Sequence, residues 1–333
     1  MDWLASLQQG VAQVVQAVME RLKPSKPEPV GQTPAPVSRK VSMIVFNPTI
    51  PSRGGRKLSE VISSNNVDDI VAGYIADLKD TSHGYISYEV VERSEVDRFP
   101  TKEDGFTYTP DSYLQTRQTN RYHSPDWADY QRILQDSNII AKINSGMIDE
   151  VWMFGFGGSG FYESRMVGPG AFDCNSPELT ATAIPCNRRF IIMGFNWERG
   201  VGEMLEAIGH RSEDIIKHVF RNTAGSANLW SIFTRYDKTF PGQAEMGTVH
   251  YAPNSEADYE WGNPLKVPCR AHTWTNFPNL TGVPVLMDCN EWGGGDIRLH
   301  HRWWLGHFPH ITGAANGVDF NWWKYIVDPN TVH

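Results

Sequence analysis

Apolar and polar positions separate most cleanly along Arg188 to Phe220, RRFIIMGFNWERGVGEMLEAIGHRSEDIIKHVF. Arg189 to Phe195 is a short apolar run that predicts a buried strand, and a turn leads from it into an amphipathic helix of about five turns. At about 100° per residue, Val201, Met204, Leu205, Ile208, Ile215, Ile216 and Val219 fall on one side of that helix. Arg199, Glu203, Glu206, His210, Glu213 and Lys217 fall on the other, at alternating spacings of four and three that stack them in one row. The row is either a solvated face or the wall of a reactive site.

Further elements follow from the same patterning. VSMIVFNP, Val41 to Pro48, and EVWMFGF, Glu150 to Phe156, are apolar runs that predict buried strands, and Gly84 to Glu92 alternates as a strand does. Helical periodicity covers Val67 to Leu78, a short helix is expected over Ile139 to Asn144, and another over Ala227 to Tyr236. In SPDWADYQRILQD, Ser124 reads as a helix N-cap with Pro125 at the first helical position. Pro100 to Asn120 reads as polar and turn-rich. Strands separated by helices predict an α/β fold, a single large domain with a mixed or partly parallel sheet. After Tyr236 come roughly ninety residues of turns and aromatic clusters, too long for a bare loop, which are expected to wrap the core with short strands. Ligands in such sheets collect at the carboxyl ends of strands, and those ends hold Asn47, the run Gly155 to Gly160, Asn196 and Glu198.

The N-terminal residues read as a separate module. Trp3, Leu4, Leu7, Val11, Val14, Val15, Val18 and Leu22 form one apolar stripe, and a proline-rich spacer runs from Lys23 to Ser38. The expected organisation is an amphipathic helix over residues 1–22, a linker over 23–38 and an α/β domain over 39–333. The helix suits docking to a protein partner or self-association through residues 3–22; folding back onto the domain is the alternative.

Composition is ordinary for a globular chain, at 40% hydrophobic and 20% charged. A net charge of −8 argues against nucleic acid as a partner, since such binding rests on cationic neutralisation of phosphates. No stretch is apolar for long enough to span a bilayer, and the first residues lack the basic start of a secretory signal, so the chain reads as soluble. Twelve tryptophans either fill a large core or, at positions such as Trp303 and Trp304, offer a surface for a sugar or a partner. Cys174, Cys186, Cys269 and Cys289 contain no C-x-x-C pair. Local pairs, 174 with 186 and 269 with 289, suit an oxidising compartment; reduced buried thiols are the alternative.

Three motifs invite chemistry. GFGGSG, Gly155 to Gly160, satisfies the dinucleotide-binding glycine pattern after a strand, but Gly168-Pro169-Gly170 leaves little room for the helix it requires. The better reading is a tight loop that carries Tyr162, Glu163 and Ser164 into a cleft. Ser159 lacks the glycine at position 161 that a nucleophile elbow needs. Within the helix row, Glu206 and His210 are four apart, which lets a carboxylate and an imidazole share a divalent metal such as zinc. Further ligands can come from His250, His301 or His307, within a histidine-rich C-terminal part that also holds His300 and His310. Glu163, Glu198 and Glu203 are the candidates for a catalytic base, and Asn47, Tyr162 and Arg199 for substrate binding.

The segments GFYESRMVGPGAF, MGFNWERGVGEMLEAIGHRSE, HHRWWLGHFPH and NWWKYIVDPN together resemble motifs of an uncharacterised, mainly bacterial protein family. The resemblance covers roughly Arg39 to Asn330. A similar domain occurs often in secreted proteins of that family, which implies disulfides, and no activity is attached to it. The functional expectation is a metal-assisted hydrolase acting on a peptide or glycan. The alternative is a non-catalytic binding or assembly protein with an aromatic recognition surface, tethered through its N-terminal helix.

Overall fold

The computed structural model describes residues 31–180, 182–280 and 282–333. The expected helix over residues 1–22 and the first part of the linker lie outside the described residues. Sheet and helices alternate through the first two thirds of the chain: β1 (Val37–Phe46), α1 (Val67–Thr81), β2 (Ile86–Val96), α2 (Pro110–Thr119), α3 (Tyr130–Asp136), α4 (Ile139–Asn144), β3 (Glu150–Gly155), β4 (Ser164–Gly168), β5 (Leu179–Thr180), β6 (Phe190–Asn196) and α5 (Val201–Val219). Then follow α6 (Leu229–Phe233), a short pair β7 (Val267–Cys269) and β8 (Val285–Met287), α7 (Ile297–Gly306), a hairpin of β9 (His310–Ala315) and β10 (Val318–Asn321), and α8 (Trp322–Val327).

Six strands form one mixed sheet in the order β2-β1-β3-β6-β4-β5. β2, β1, β3 and β6 run parallel, β4 lies antiparallel to β6, and β5 runs parallel to β4. All of β3 and nearly all of β6 are buried, the mark of strands covered on both faces. The strand order reverses beside β1, so β1 to β2 leads one way and β3 and β6 the other, with parallel carboxyl ends opening on one edge.

The central helix α5 packs on α1, α7 and α8 and on strands β4 and β6. Its register on the sheet is fixed by an ion pair inside the core. Arg211, fully buried, places Nη1 at 2.7 Å from Glu150 Oε1, and its Nε and Nη2 donate to the Ile326 carbonyl at 3.0 and 2.6 Å. Trp152 Nε1 donates to the same Glu150 oxygen at 2.9 Å. A buried charge pair survives only with its remaining hydrogen-bonding capacity filled, and here β3, α5 and α8 fill it together.

Two local expectations are corrected. The segment after Ser124 is not yet helix: Ala128 N donates to the Gly160 carbonyl and Asp129 N to the Thr101 carbonyl, so α3 starts at Tyr130 with Asp129 capping Arg132 N. Residues 110–119, expected as turn, form α2, because Thr109 Oγ1 accepts from Ser112 N at 3.2 Å and Pro110 occupies the first turn. Only Tyr113 of that helix is buried, so it shows no apolar stripe. The folded part also begins slightly before Arg39, with β1 starting at Val37.

The aromatic C-terminal part is core. Trp274, Trp292, Trp304, Trp322 and Trp323 are fully buried, and Phe233 packs against Trp274, Trp304, Phe308 and Trp322. All four cysteines are buried free thiols; Cys269 Sγ donates to the Glu245 carbonyl and Cys174 Sγ lies 3.6 Å from Ser164 Oγ. The expected disulfides are therefore absent from the described residues. No helix among those residues is long and apolar enough to cross a membrane.

Candidate metal centre

The helix row begins at the carboxyl edge of the sheet. Glu203, in the first turn of α5, accepts the Gly200 N–H at 3.0 Å and so fixes where the helix starts. Counting on from that start, Glu206, His210 and Glu213 fall on one face. That face is not solvated: Glu206 is buried and His210 is half-buried. The cover is residues 248–252. Val249 lies against Gly209, where a Cβ would come within 2.6 Å of Val249 Cγ2, so only glycine admits it. Val249 N donates to Glu213 Oε1 at 3.0 Å, and its carbonyl accepts from Trp261 Nε1 at 3.2 Å. These contacts hold the next residue, His250, opposite His210.

Three donor atoms converge. His210 Nε2 and His250 Nε2 are 3.0 Å apart, His250 Nε2 and Glu206 Oε1 3.2 Å, and His210 Nε2 and Glu206 Oε1 3.9 Å. These separations bracket the edge of about 3.4 Å expected for a tetrahedron with metal–ligand bonds of about 2.0–2.1 Å. Glu163 Oε2 stands 3.9 Å from His210 Nε2, with its carboxylate held by Asn175 Nδ2 at 2.7 Å.

Both imidazoles are backed by carboxylates on their far side. His210 Nδ1 lies 3.2 Å from Glu213 Oε2, and His250 Nδ1 lies 3.0 Å from Asp258 Oδ1. Each contact fixes a proton on Nδ1, since a carboxylate oxygen only accepts. In a ring with no second proton, Nε2 presents a lone pair to the other Nε2 and to Glu206 Oε1. Three acceptors aimed at one point require a cation among them, a proton or a metal ion. A carboxylate behind each ring is also the arrangement that orients histidine ligands at metal sites.

The charges of the group act on one another. Burial pushes His210 down, but Glu213, Glu163 and Glu206 outweigh it and leave its pKa raised. The bond to Glu206 is the largest influence on His250 and raises it as well. For Glu206, burial acts upward, but His250, His301, Tyr259 and His210 together bring it below the usual carboxylate range.

A cleft of about 280 Å³ opens beside this group over the carboxyl ends of β3 and β6. Asp126, Trp127, the glycine loop 157–160, Glu163, Asn196, Arg199 and Glu203 line it. The glycine loop runs into strand β4 rather than a helix, so it has no helix N-terminus to offer a pyrophosphate. Ser159 Oγ is engaged with the Phe156 backbone at 2.7 Å, which leaves it no nucleophile's role. Ser164, expected in the cleft, is buried in β4 and donates to the Cys174 carbonyl.

Of the other expected site residues, Glu203 and Arg199 line the cleft, though Glu203 is also the helix cap. Glu198 reaches the same loop, but Arg117 pairs with both its oxygens and Gly157 N donates to it at 2.8 Å. Asn47 lies elsewhere, bonded to Ser59 and Glu95. Tyr162 is stacked on Trp127 rather than lining the cleft. His301 is close enough to Glu206 to influence its charge, yet both its ring nitrogens face backbone carbonyls, Ile297 at 2.7 Å and Val249 at 3.2 Å. His307 belongs to a different neighbourhood, with Nδ1 on the Trp303 carbonyl and His83 and His310 nearby. Trp304 is a core residue that donates to the Gly247 carbonyl, and Trp303 packs against Trp292 and His307. Trp304 is therefore closed to a ligand, whereas Trp303 is half-buried.

Two residues at the site escaped the sequence reading. Asp258 backs His250, and Tyr259 lies with its ring 4.2 Å from that imidazole and its hydroxyl toward Glu206. Tyr259 has φ +60°, a left-handed conformation unusual for an aromatic residue and a recognised mark of functional sites. Burial, followed by the charge of Glu206, pushes its pKa up to about 12. Comparison of the chain with known protein families, with curated proteins and with solved structures finds no match.

Proposed function

We propose that this chain is a metal-assisted hydrolase whose divalent metal, zinc in the first instance, is held by Glu206, His210 and His250. One observation carries the reading: two imidazole Nε2 atoms and a carboxylate oxygen converge within 3.9 Å, each imidazole backed by its own carboxylate. Three protein ligands with a fourth position open is the pattern of catalytic rather than structural zinc. A divalent ion there supplies an acidified water and a Lewis acid for a carbonyl oxygen. Glu163, between the metal group and the cleft, accepts the proton of the attacking water and returns it to the leaving group. Tyr259, protonated across the physiological range, donates its hydroxyl to Glu206 and so steadies that carboxylate. Glu198 and Glu203 are excluded as bases by their engagement with Arg117 and the Gly200 N–H. Chemistry of this kind suits a bond with a carbonyl to polarise, an amide of a peptide or an acyl group on a glycan.

The motifs behind the family resemblance supply most of this group: GFYES contributes Glu163, and NWERGVGEMLEAIGHR contributes Glu206 and His210, while His250 lies outside them. Membership of that family is therefore part of the proposal, as is docking to a protein partner through residues 3–22, which rests on the apolar stripe. The decisive experiment is zinc titration of chelator-stripped protein by calorimetry, with metal analysis of the purified chain. One equivalent should bind. His210→Ala should weaken binding by at least the ~100-fold seen for disturbed ligand shells while the fold persists, and Glu163→Gln should keep the metal. Zinc binding no tighter in the native chain than in His210→Ala would end the reading.

A further inference from the structure

A second construction stands at the mouth of the same cleft. Arg165 is nearly buried, its Nε bonded to the Pro177 carbonyl at 2.8 Å. Its guanidinium packs against two rings, 4.8 Å from the centre of Tyr130 and 5.2 Å from that of Tyr162, the ring centres themselves lying 6.1 Å apart. On Tyr162 lies Trp127, with ring centres 4.0 Å apart and planes within 13°. Tyr162 N donates to the Tyr130 hydroxyl at 2.7 Å, and Glu103 N to the Trp127 carbonyl at 3.0 Å. Trp127 and Tyr162 form a stacked pair with Tyr130 and Arg165 packed behind Tyr162, and the indole is the outermost plate.

That plate is exposed. Trp127 is 42% accessible and lines the cleft, whereas the tyrosines and Arg165 beneath it are buried or half-buried. Leaving an indole open to water forgoes the largest burial gain of any side chain, and a stacked support gives it a fixed orientation. Around it the cleft offers both hydrogen-bonding senses. Arg199 donates, and its guanidinium has no partner among the described residues; Asn196 accepts the Glu198 N–H through its carbonyl and so turns an amide donor outward. Asp126, Glu203 and Glu163 supply acceptors.

We infer that this cleft binds a carbohydrate chain, with a sugar ring seated on Trp127 and its length directed toward Glu163. A pyranose presents a face of C–H groups, which suits the electron-rich face of an indole. It also carries a rim of hydroxyls that both donate and accept, which suits the mixed lining. A peptide fits less well. Extended peptides are bound along free strand edges or through apolar side pockets, and here the strands opening on the cleft, β3 and β6, are interior to the sheet. The apolar side chains that also line the cleft, Phe156, Phe161, Phe195 and Met204, suit a peptide side chain too, and the hexapeptides below test that alternative. This inference names the substrate class for the hydrolase reading above and rests on that reading only in giving the chain a reactive end at Glu163.

The test uses the full chain stripped of metal, so the outcome does not depend on the metal centre. Neutral hexasaccharides of glucose, N-acetylglucosamine, xylose and mannose, and unrelated hexapeptides, are titrated by calorimetry and by NMR of the tryptophan indole resonances. At least one saccharide should bind and shift the Trp127 resonance. Trp127→Ala should weaken that saccharide about tenfold or more, the loss typical of an aromatic anchor, whereas Trp127→Phe should retain most of the affinity. Zinc affinity should be the same in all three proteins. The inference is overturned if no saccharide shifts Trp127, if Trp127→Ala binds as well as the native chain, or if the peptides bind at Trp127 instead. Zinc titration of the same samples reports separately on the metal centre, so either reading can fail alone.

Discussion

At the scale of single residues, the chain uses histidine in two opposite ways. His210 and His250 are kept basic by surrounding carboxylates, and that suits a site which attracts cations. His300 and His301, adjacent in sequence and both buried in α7, are pushed the other way. Burial holds His300 well below its ordinary value and His301 at about 4, so both are neutral in the folded chain. The unfolded chain titrates these rings near 6.5 and therefore binds more protons between about pH 6.5 and 4. Stability must then rise with pH across that window and be lost as the pH falls through it. Glu206, whose carboxyl is depressed, adds its own loss only below its unfolded value of 4.5. Urea midpoints of the metal-free chain should consequently fall as the pH drops from 6.5 toward 4.5, and His301→Gln should flatten part of that fall. A stability that is level across the window, or slopes the other way, would contradict the neutral assignment.

At the scale of elements, α5 is tuned on both sides. Its sheet side carries Arg211 into Glu150, and its outer side accepts residues 248–252 only because position 209 is glycine. Two expectations follow from this division. Arg211→Met leaves Glu150 buried without its partner and should cost about 3–5 kcal/mol in chemical unfolding, the usual penalty for breaking a buried pair. Gly209→Ala should act differently. Its Cβ would push Val249 away and with it His250, so zinc affinity should drop about tenfold or more, as for a disturbed outer shell, for a smaller loss of stability. Equal zinc affinity in Gly209→Ala and the native chain would show that the glycine does not set the position of His250.

At the scale of the whole molecule, one sheet edge gathers everything with chemical potential. Parallel strands β3 and β6 end there, α5 starts there, the glycine loop turns there, and residues 248–259 return from the C-terminal half to cover the row with His250, Asp258 and Tyr259. The C-terminal part thus has two tasks, a tryptophan-rich core and a cover over the helix row, and the first holds the second in place through bonds such as Trp261 Nε1 to the Val249 carbonyl.

How much of this was legible follows from the range of the forces involved. The sequence alone determined the α/β class, the buried strands and the central helix, because burial on one face imposes a period that can be read locally. It also determined that Glu206 and His210 share a face, since helix geometry fixes what lies four residues apart. It could not show whether that face meets water, because the cover comes from some forty residues further on in the chain, through contacts such as Val249 with Gly209. Helix α7 went unread for a related reason: its buried side is built of His300, His301, Trp304 and Leu305, and histidine counts as polar until a fold removes it from water. The meeting of His210 with His250 rather than with His301 or His307, the carboxylate behind His250 and the Trp127–Tyr162 stack were likewise decided only by tertiary structure. Each depends on side chains distant in sequence meeting within 3 to 5 Å, and no local period encodes such a meeting.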